Sequence, residues 1–318
     1  MPSATQESKL SIQERVDVMK KKKDNYEVTS NGEVEFRGRS LAQETWRRLR
    51  KNKGAMLGAA FLILLLLATT LASFVYDYDK DIIAMSKDRF LAPCKEHIFG
   101  TDNMGRDIFA RVLYGAKYSL FISFGATALG LVVGLFLGAI AGYYGGFIDN
   151  LIMRLTDIFY SIPYIMLAVV VVSLLGTSMV NLLFAMALGS FAAFARIARA
   201  SVMTVRDQEY IEAGKAIGLP TWKIIVKHVL PNCLSPIIVQ VTLKVGSNII
   251  SASSLSFLGV GISPPTPEWG AMLSDGRSYI RSSGWMCLFP GLAIMFTVLA
   301  LNLLGDGLRD AMDPKLKK

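Results

Sequence analysis

Residues that carry chemistry are scarce in this chain. Its 318 residues include three cysteines and two histidines. Cys94, Cys233 and Cys287 show no metal-type spacing, and His97 and His228 lie far apart, so neither pattern builds a local metal site. Cys94 and Cys287 both fall on the outer side in the topology below, which leaves a disulfide between them open. There is no G-x-x-x-x-G-K-[ST] phosphate loop, no H-E-x-x-H and no G-x-S-x-G. These absences argue against an enzyme and against ATP hydrolysis by this chain. No cleavable leader is expected either, because the first apolar run begins near residue 54, behind a long polar stretch.

What the chain has in abundance is apolar length. Hydrophobic residues make up 52% of it, and the mean hydropathy is +0.41. Several runs reach the roughly 20 residues that a helix needs to cross a bilayer. The pattern predicts an all-α polytopic membrane protein with six spans, near 55–76, 118–143, 158–175, 180–197, 235–258 and 286–304. The polar parts are then a leader over 1–54, an extracytoplasmic segment over 77–117, a cytoplasmic loop over 200–234 inside a five-helix core (118–304), and a tail over 305–318.

The net charge of +9 does not point to nucleic acid, because the excess is sided. Lys20–Lys23 and the stretch from Arg47 to Lys53 precede the first span. Arg196, Arg199, Arg206, Lys215, Lys223 and Lys227 fall on the same side as those runs. The positive-inside rule makes that side cytoplasmic, with both termini there and the basic runs against lipid. The segment 77–117 fits less simply, since its lysines and arginines are balanced by aspartates.

Four glycines, Gly130, Gly134, Gly138 and Gly142, recur every four residues in the second span. Such a stripe is a face for close helix packing, not a ligand site. The fifth span is unusual in the other direction. It holds Gln240, Lys244, Asn248 and Ser251, and a lysine inside a span costs a few kcal/mol unless it pairs or reaches water. These four are candidates for a translocation path, with Lys244 meeting an anionic group of a cargo. The alternative for Lys244 is snorkelling to the inner headgroups. Arg154 and Asp157, at the start of the third span, read as a structural pair.

Between the fourth and fifth spans the chain turns polar and punctuated. Residues 207–217 suit a short helix, Gly218 is placed to end it, and Pro220 lies just beyond. A second short helix is expected near Thr221, with Trp222, Ile225, Val226 and Val229 on an apolar face and Pro231 stopping it before the fifth span. Taken alone, this is either a two-helix docking elbow or a loop that only connects two spans.

The exact residues decide between these. Glu209-Tyr210-Ile211-Glu212-Ala213-Gly214, then Gly218, then His228-x-Leu230-Pro231-Asn232, closely resembles the EAA loop of binding-protein-dependent ABC importer permeases. Gly214 stands where the family usually has alanine. The segment from Gly100 to Asp107, the run from Leu255 to Gly261, Pro264-Pro265-x-Pro267-x-Trp269-Gly270 and Gly305-Asp306-Gly307-Leu308 resemble the C-type permeases of dipeptide and oligopeptide importers.

The resemblance implies a type I ABC importer permease fold with a cytoplasmic coupling helix. It also implies a bacterial cytoplasmic membrane, a second similar permease, two cytoplasmic ATPases that bind ATP and magnesium, and an extracytoplasmic solute-binding protein. The chain itself is expected to hold no cofactor. Glu209, Tyr210, Glu212, Ala213, Gly214, Gly218 and Pro231 would couple to an ATPase. Asp102, Arg106, Asp107, Pro265 and Trp269 would form an outer docking platform or gate. Peptides are the default cargo, with nickel complexes, glutathione or another small solute as alternatives. An ion-coupled secondary transporter is the rival of a different class, but it would show internal repeats and more ionisable groups at mid-membrane.

Overall fold

The computed structural model describes residues 26–28, 34–36, 41–262 and 264–312. The Lys20–Lys23 run and the charged residues of the extreme C-terminus lie outside the described residues. The chain forms two compact units, 1–51 and 52–318. In the first, β1 (Tyr26–Val28) pairs antiparallel with β2 (Val34–Phe36), Glu27 opposite Glu35. A helix, α1 (Leu41–Leu49), follows and carries a Glu44–Arg48 ion pair one turn apart.

The second unit is a helical bundle. Its members are α2 (Lys53–Val75), α3 (Ile108–Tyr144), α4 (Gly146–Ser161), α5 (Tyr164–Leu175), α6 (Met179–Arg206), α7 (Glu209–Ala216), α8 (Thr221–Ile224), α9 (Leu234–Phe257), α10 (Trp269–Gly276) and α11 (Trp285–Met312). Among the described residues, five helical runs are long and apolar enough to cross a membrane. A sixth span results if the bent pair α4–α5 is counted as one.

That pair corrects the expected third span, which was a continuous helix over 158–175. The helix begins at Gly146, breaks after Ser161 and resumes at Tyr164 at an angle of 86°. Pro163 explains the break. It has no N–H to give the preceding turn, and it forces Ile162 into an extended conformation (φ −84°, ψ 127°). The turn that leads into α4 is made by Gly145 and Gly146, both at positive φ.

Other boundaries also move. α3 starts at Ile108, not at 118, because Asp107 caps it through a bond from the Ala110 N–H. The last turns of the expected outer segment are therefore helix. α6 continues to Arg206, well past 197. α11 runs on to Met312, so 305–312 are its final turns and not a separate tail. Helical structure also passes through Pro231. A π turn over Ile225–Val229 and a 3₁₀ turn over Leu230–Cys233 join α8 to α9. Proline is tolerated there because it lies in the first turn of the 3₁₀ segment, where no helical N–H bond is required of it.

The glycine stripe is the seam of the bundle. A Cβ added at Gly130, Gly134, Gly138 or Gly142 would come within 2.3 to 2.7 Å of atoms on α6. At the last three the atom met is a backbone carbonyl oxygen, that of Phe191, Ala195 and Arg199 in turn. The two helices run parallel, in contact backbone to backbone. On the other flank, α2 packs antiparallel on α11, with Gly58 against the Ala300 carbonyl and Phe61 against Phe296. The start of α2, the end of α11 and the α7–α8 elbow consequently share one end of the bundle.

A candidate coupling elbow and translocation face

At that shared end, α6 stops at Asp207 and α7 begins after Gln208, which gives it no side-chain cap. Ile211 and Gly214 are the buried side of α7. Ile211 joins Ile224, Val229, Cys233 and Ile237 in a cluster that rests on Ala139 of α3 and Val202 of α6. The helix closes through Gly218 at φ +78°, whose N–H bonds the Lys215 carbonyl while the Leu219 N–H bonds that of Gly214.

With that side buried, Glu209, Tyr210, Glu212 and Ala213 face outward. Neither glutamate caps the helix. Both carboxylates are left free for an external partner. The expected apolar face of the second helix is also corrected. Ile224 and Val229 are buried, whereas Trp222 is 63% and Val226 54% exposed. The π turn over Ile225–Val229 shifts the register between the residues before and after it, so Trp222, Val226 and Val229 do not share one face. Tyr210, Ile217, Trp222 and Val226 thus place apolar groups at the surface beside the glutamates and Lys223. Pro231 is exposed.

Ion pairs brace the elbow's base. Arg199 donates two bonds of 2.5 Å to Asp149 on α4, and Arg206 donates to the Gly142 carbonyl at 2.8 Å. Asp157 pairs with Arg196 at 2.6 Å, not with Arg154, and the Arg196 guanidinium stacks on the Tyr160 ring. The Lys215 ammonium lies over the Tyr143 ring. The broken helix is therefore tied to α6 along its length.

On α9, Gln240, Lys244, Ser247, Ser251 and Ser254 follow a four–three–four–three spacing that keeps them on one side of the helix. All five are at least partly exposed. The three serines return their hydroxyls to carbonyls of the preceding turn. Asn248 is different and corrects its place among path residues. It is fully buried, donates to Thr127 Oγ1 at 2.9 Å and accepts from the Tyr164 hydroxyl at 3.2 Å. It bonds three helices together.

The opposite end of the bundle holds a buried ionic cluster. Arg106 Nε donates to Asp102 at 2.6 Å, Arg111 lies 3.7 Å from the same carboxylate, and Arg106 reaches Asp275 at 3.9 Å. Arg111 also donates to the Ile82 carbonyl at 2.6 Å. Burial pushes the Asp275 carboxyl above its usual range, against the pull of Arg106 and Arg111.

Asp102, Arg106 and Trp269 are buried, so they hold the outer segment together and do not present a surface. Asp107 caps α3 and bonds His97 at 2.7 Å. Pro265 is the exposed member of the set. The three cysteines are free thiols.

Sequence reasoning missed Glu268. It is fully buried, receives the Gly270 and Ala271 N–H groups of α10 and accepts from Ser119 of α3. Trp269 donates to the Val112 carbonyl beside it. Gly115 makes this docking feasible, since any Cβ there would strike the Pro267 carbonyl. The one available signal was the position of Glu268 at the head of a short helix after a proline-rich loop.

Residues 134–318 match the family described as binding-protein-dependent transport system inner membrane component. Residues 40–93 match the N-terminal TM domain of oligopeptide transport permease C. The chain is 46% identical over 279 residues to the dipeptide transport system permease protein of Alkalihalophilus pseudofirmus, covering 86% of this chain and 90% of that protein. It is 45% identical over 274 residues to the glutathione transport system permease protein of Escherichia coli, with 86% and 90% covered. In fold it is similar to the inward-facing MetNI methionine ABC transporter, with a TM-score of 0.53, 19% identity, and 64% of this chain and 96% of that chain covered. The chain belongs to the family of binding-protein-dependent transport system inner membrane components, and is a multi-pass permease component of an ABC importer, not an enzyme.

Proposed function

We propose that this permease forms half of the path by which short peptides enter a bacterial cell, driven by ATP that separate subunits bind with magnesium and hydrolyse. The observation that carries the coupling is the elbow. Ile211 and Gly214 fix α7 to the ends of α3 and α6, while Glu209, Tyr210 and Glu212 point away from the bundle. A short helix held firmly from below with carboxylates above suits a groove on a soluble ATPase that supplies basic groups. The basic residues gathered at this end support a cytoplasmic position for it under the positive-inside rule, the side expected for both termini. A second similar permease would complete the path, and an extracytoplasmic binding protein would deliver cargo to the other end.

Peptide cargo is supported by the dipeptide and glutathione transport of its relatives, since both solutes are built from amino acids joined by amide bonds. No observation favours nickel complexes or ion-coupled secondary transport.

The test is purification of the assembled importer with wild-type chain and with Glu212→Lys. Co-purification of two ATPases and peptide-stimulated ATP hydrolysis by the wild type are expected. Glu212→Lys should retain the helical bundle and lose most of the stimulation. A wild-type chain that purifies alone, under conditions that keep a known ABC importer intact, would sink the proposal.

A further inference from the structure

Lys244 is a cation held in the interior of a membrane span. It lies about 15 Å along α9 from Leu234, in a helix about 36 Å long. An extended lysine side chain reaches roughly 6 Å, which is too short to bring this ammonium to either headgroup layer. Nor does it turn that way. Its Nζ lies 4.7 Å from the centroid of the Tyr164 ring. Among the described residues it has no carboxylate partner.

The ring under it is a fixed platform. A Cβ at Gly189 would come within 2.4 Å of the Tyr164 ring, so the ring lies directly on the α6 backbone. The Tyr164 hydroxyl is held by buried Asn248, which Thr127 in turn orients. Tyr164 is also the first residue after the 86° break between α4 and α5. Irregular backbone at membrane depth is tolerated where it is buried in protein or borders water. Lys244 is thus half-buried, positioned, and in line with the exposed hydroxyls of Ser247, Ser251 and Ser254.

A cation–π contact is weak beside a charge-assisted hydrogen bond. An ammonium kept on an aromatic ring with no anion of its own is poised to exchange the ring for one. Resting on the importer reading above, we infer that Lys244, poised on Tyr164, is a station for the free carboxylate of the cargo as it crosses mid-membrane. Its depth rules out a lipid phosphate as the partner.

The test uses the assembled importer with its binding protein in proteoliposomes. The probes are trialanine, trialanine amide, and a trialanine amide analogue carrying one glutamate. Lys244→Met should lower trialanine uptake about tenfold or more, the size of one lost charge-assisted bond, and leave the amide little changed. Lys244→Arg should restore most of the difference. Loss for the glutamate-bearing amide as well would assign the station to carboxylates in general, and its sparing would assign it to the C-terminal one. Equal loss for all three probes, or no loss for any, would overturn the inference.

A second arm does not depend on the cargo. In a chain freed of Cys94, Cys233 and Cys287, Ser247→Cys is treated with an anionic and a cationic methanethiosulfonate. The anionic reagent should react relatively faster with Lys244 present than with Lys244→Met, by several-fold. No reaction with either reagent, or an unchanged ratio, would sink the station. A wild-type importer that moves no peptide would fault only the cargo reading, and this arm would still decide the site.

Discussion

Gly214 sits inside α7 and Gly218 just past its end, and a side chain has opposite effects at the two. At Gly214 the backbone is helical, and an added Cβ would meet Leu219 Cδ1 at 3.6 Å, an ordinary contact. Gly214→Ala should therefore stabilise α7 by up to about 1 kcal/mol, seen as roughly fivefold slower amide exchange over 209–216. At Gly218 the φ of +78° penalises any Cβ. Gly218→Ala should cost about 1 kcal/mol and speed the same amides. Identical effects of the two changes would contradict this geometry. Asp275 makes a prediction in pH. Burial raises its folded pKa above that of an exposed aspartate, so the folded state holds its proton more tightly than the unfolded one. Its contribution to stability is complete below that value and is lost as pH rises through the raised pKa. Melting temperatures of the wild type and Asp275→Asn in detergent should diverge over this interval, the variant gaining on the wild type as pH rises. A constant offset would refute it. The turn at Gly218 was legible at this scale because a glycine at positive φ acts locally, whereas Pro231 did not end the helix it was expected to stop. Glu268 and the Asp157 partner were not legible, because both are set by contacts between distant segments.

Among the elements, the α3–α6 seam is the firmest contact of the bundle. The period-four glycines announced it in the sequence, though not which helix they would meet. Gly138→Val should be severely destabilising, with a cost of about 3 kcal/mol or more, because the atoms in its way are backbone and cannot yield. Gly125→Ala is the contrast. Its obstruction is the far end of the Leu183 side chain, so a small loss of thermal stability is expected. Similar melting points for the two would show that the seam is not backbone-limited. At the outer end, Asp102→Ala leaves Arg106 and Arg111 buried without their shared carboxylate. Breaking a buried pair this way costs about 3–5 kcal/mol, measurable as loss of folded protein in detergent. An Asp102→Ala chain as stable as wild type would mean that water already reaches the cluster. The break between α4 and α5 was only half legible. Pro163 was visible, but hydropathy treats a bent span and a straight one alike. The shared apolar face drawn through Trp222, Val226 and Val229 was misassigned because a π turn between them leaves no mark in the hydrophobic period.

For the whole molecule the prediction concerns sidedness. Cys94 is exposed and free in the outer segment, and Cys233 is buried at the elbow. A membrane-impermeant maleimide should label Cys94 in spheroplasts without permeabilisation and spare Cys233. Labelling of Cys94 only after lysis would invert the topology. The spans were legible because lipid demands long apolar helices, whereas the buried polar contacts that tie them together are invisible to hydropathy. The seam between α3 and α6 has a mechanical consequence. With glycines against carbonyls and the stems of short side chains there is little to deform, so the pair behaves as one stiff beam. α3 alone spans about 55 Å, from the Asp107 cap at the outer cluster to the Arg206 bond at the elbow. By simple lever arithmetic, a tilt of about 5° at the elbow displaces the far end by ~5 Å, more than the width of a peptide bond and without breaking a contact along its length. A push delivered at the elbow is in that case felt at the opposite end of the bundle as a shift in position, not as a change in fold.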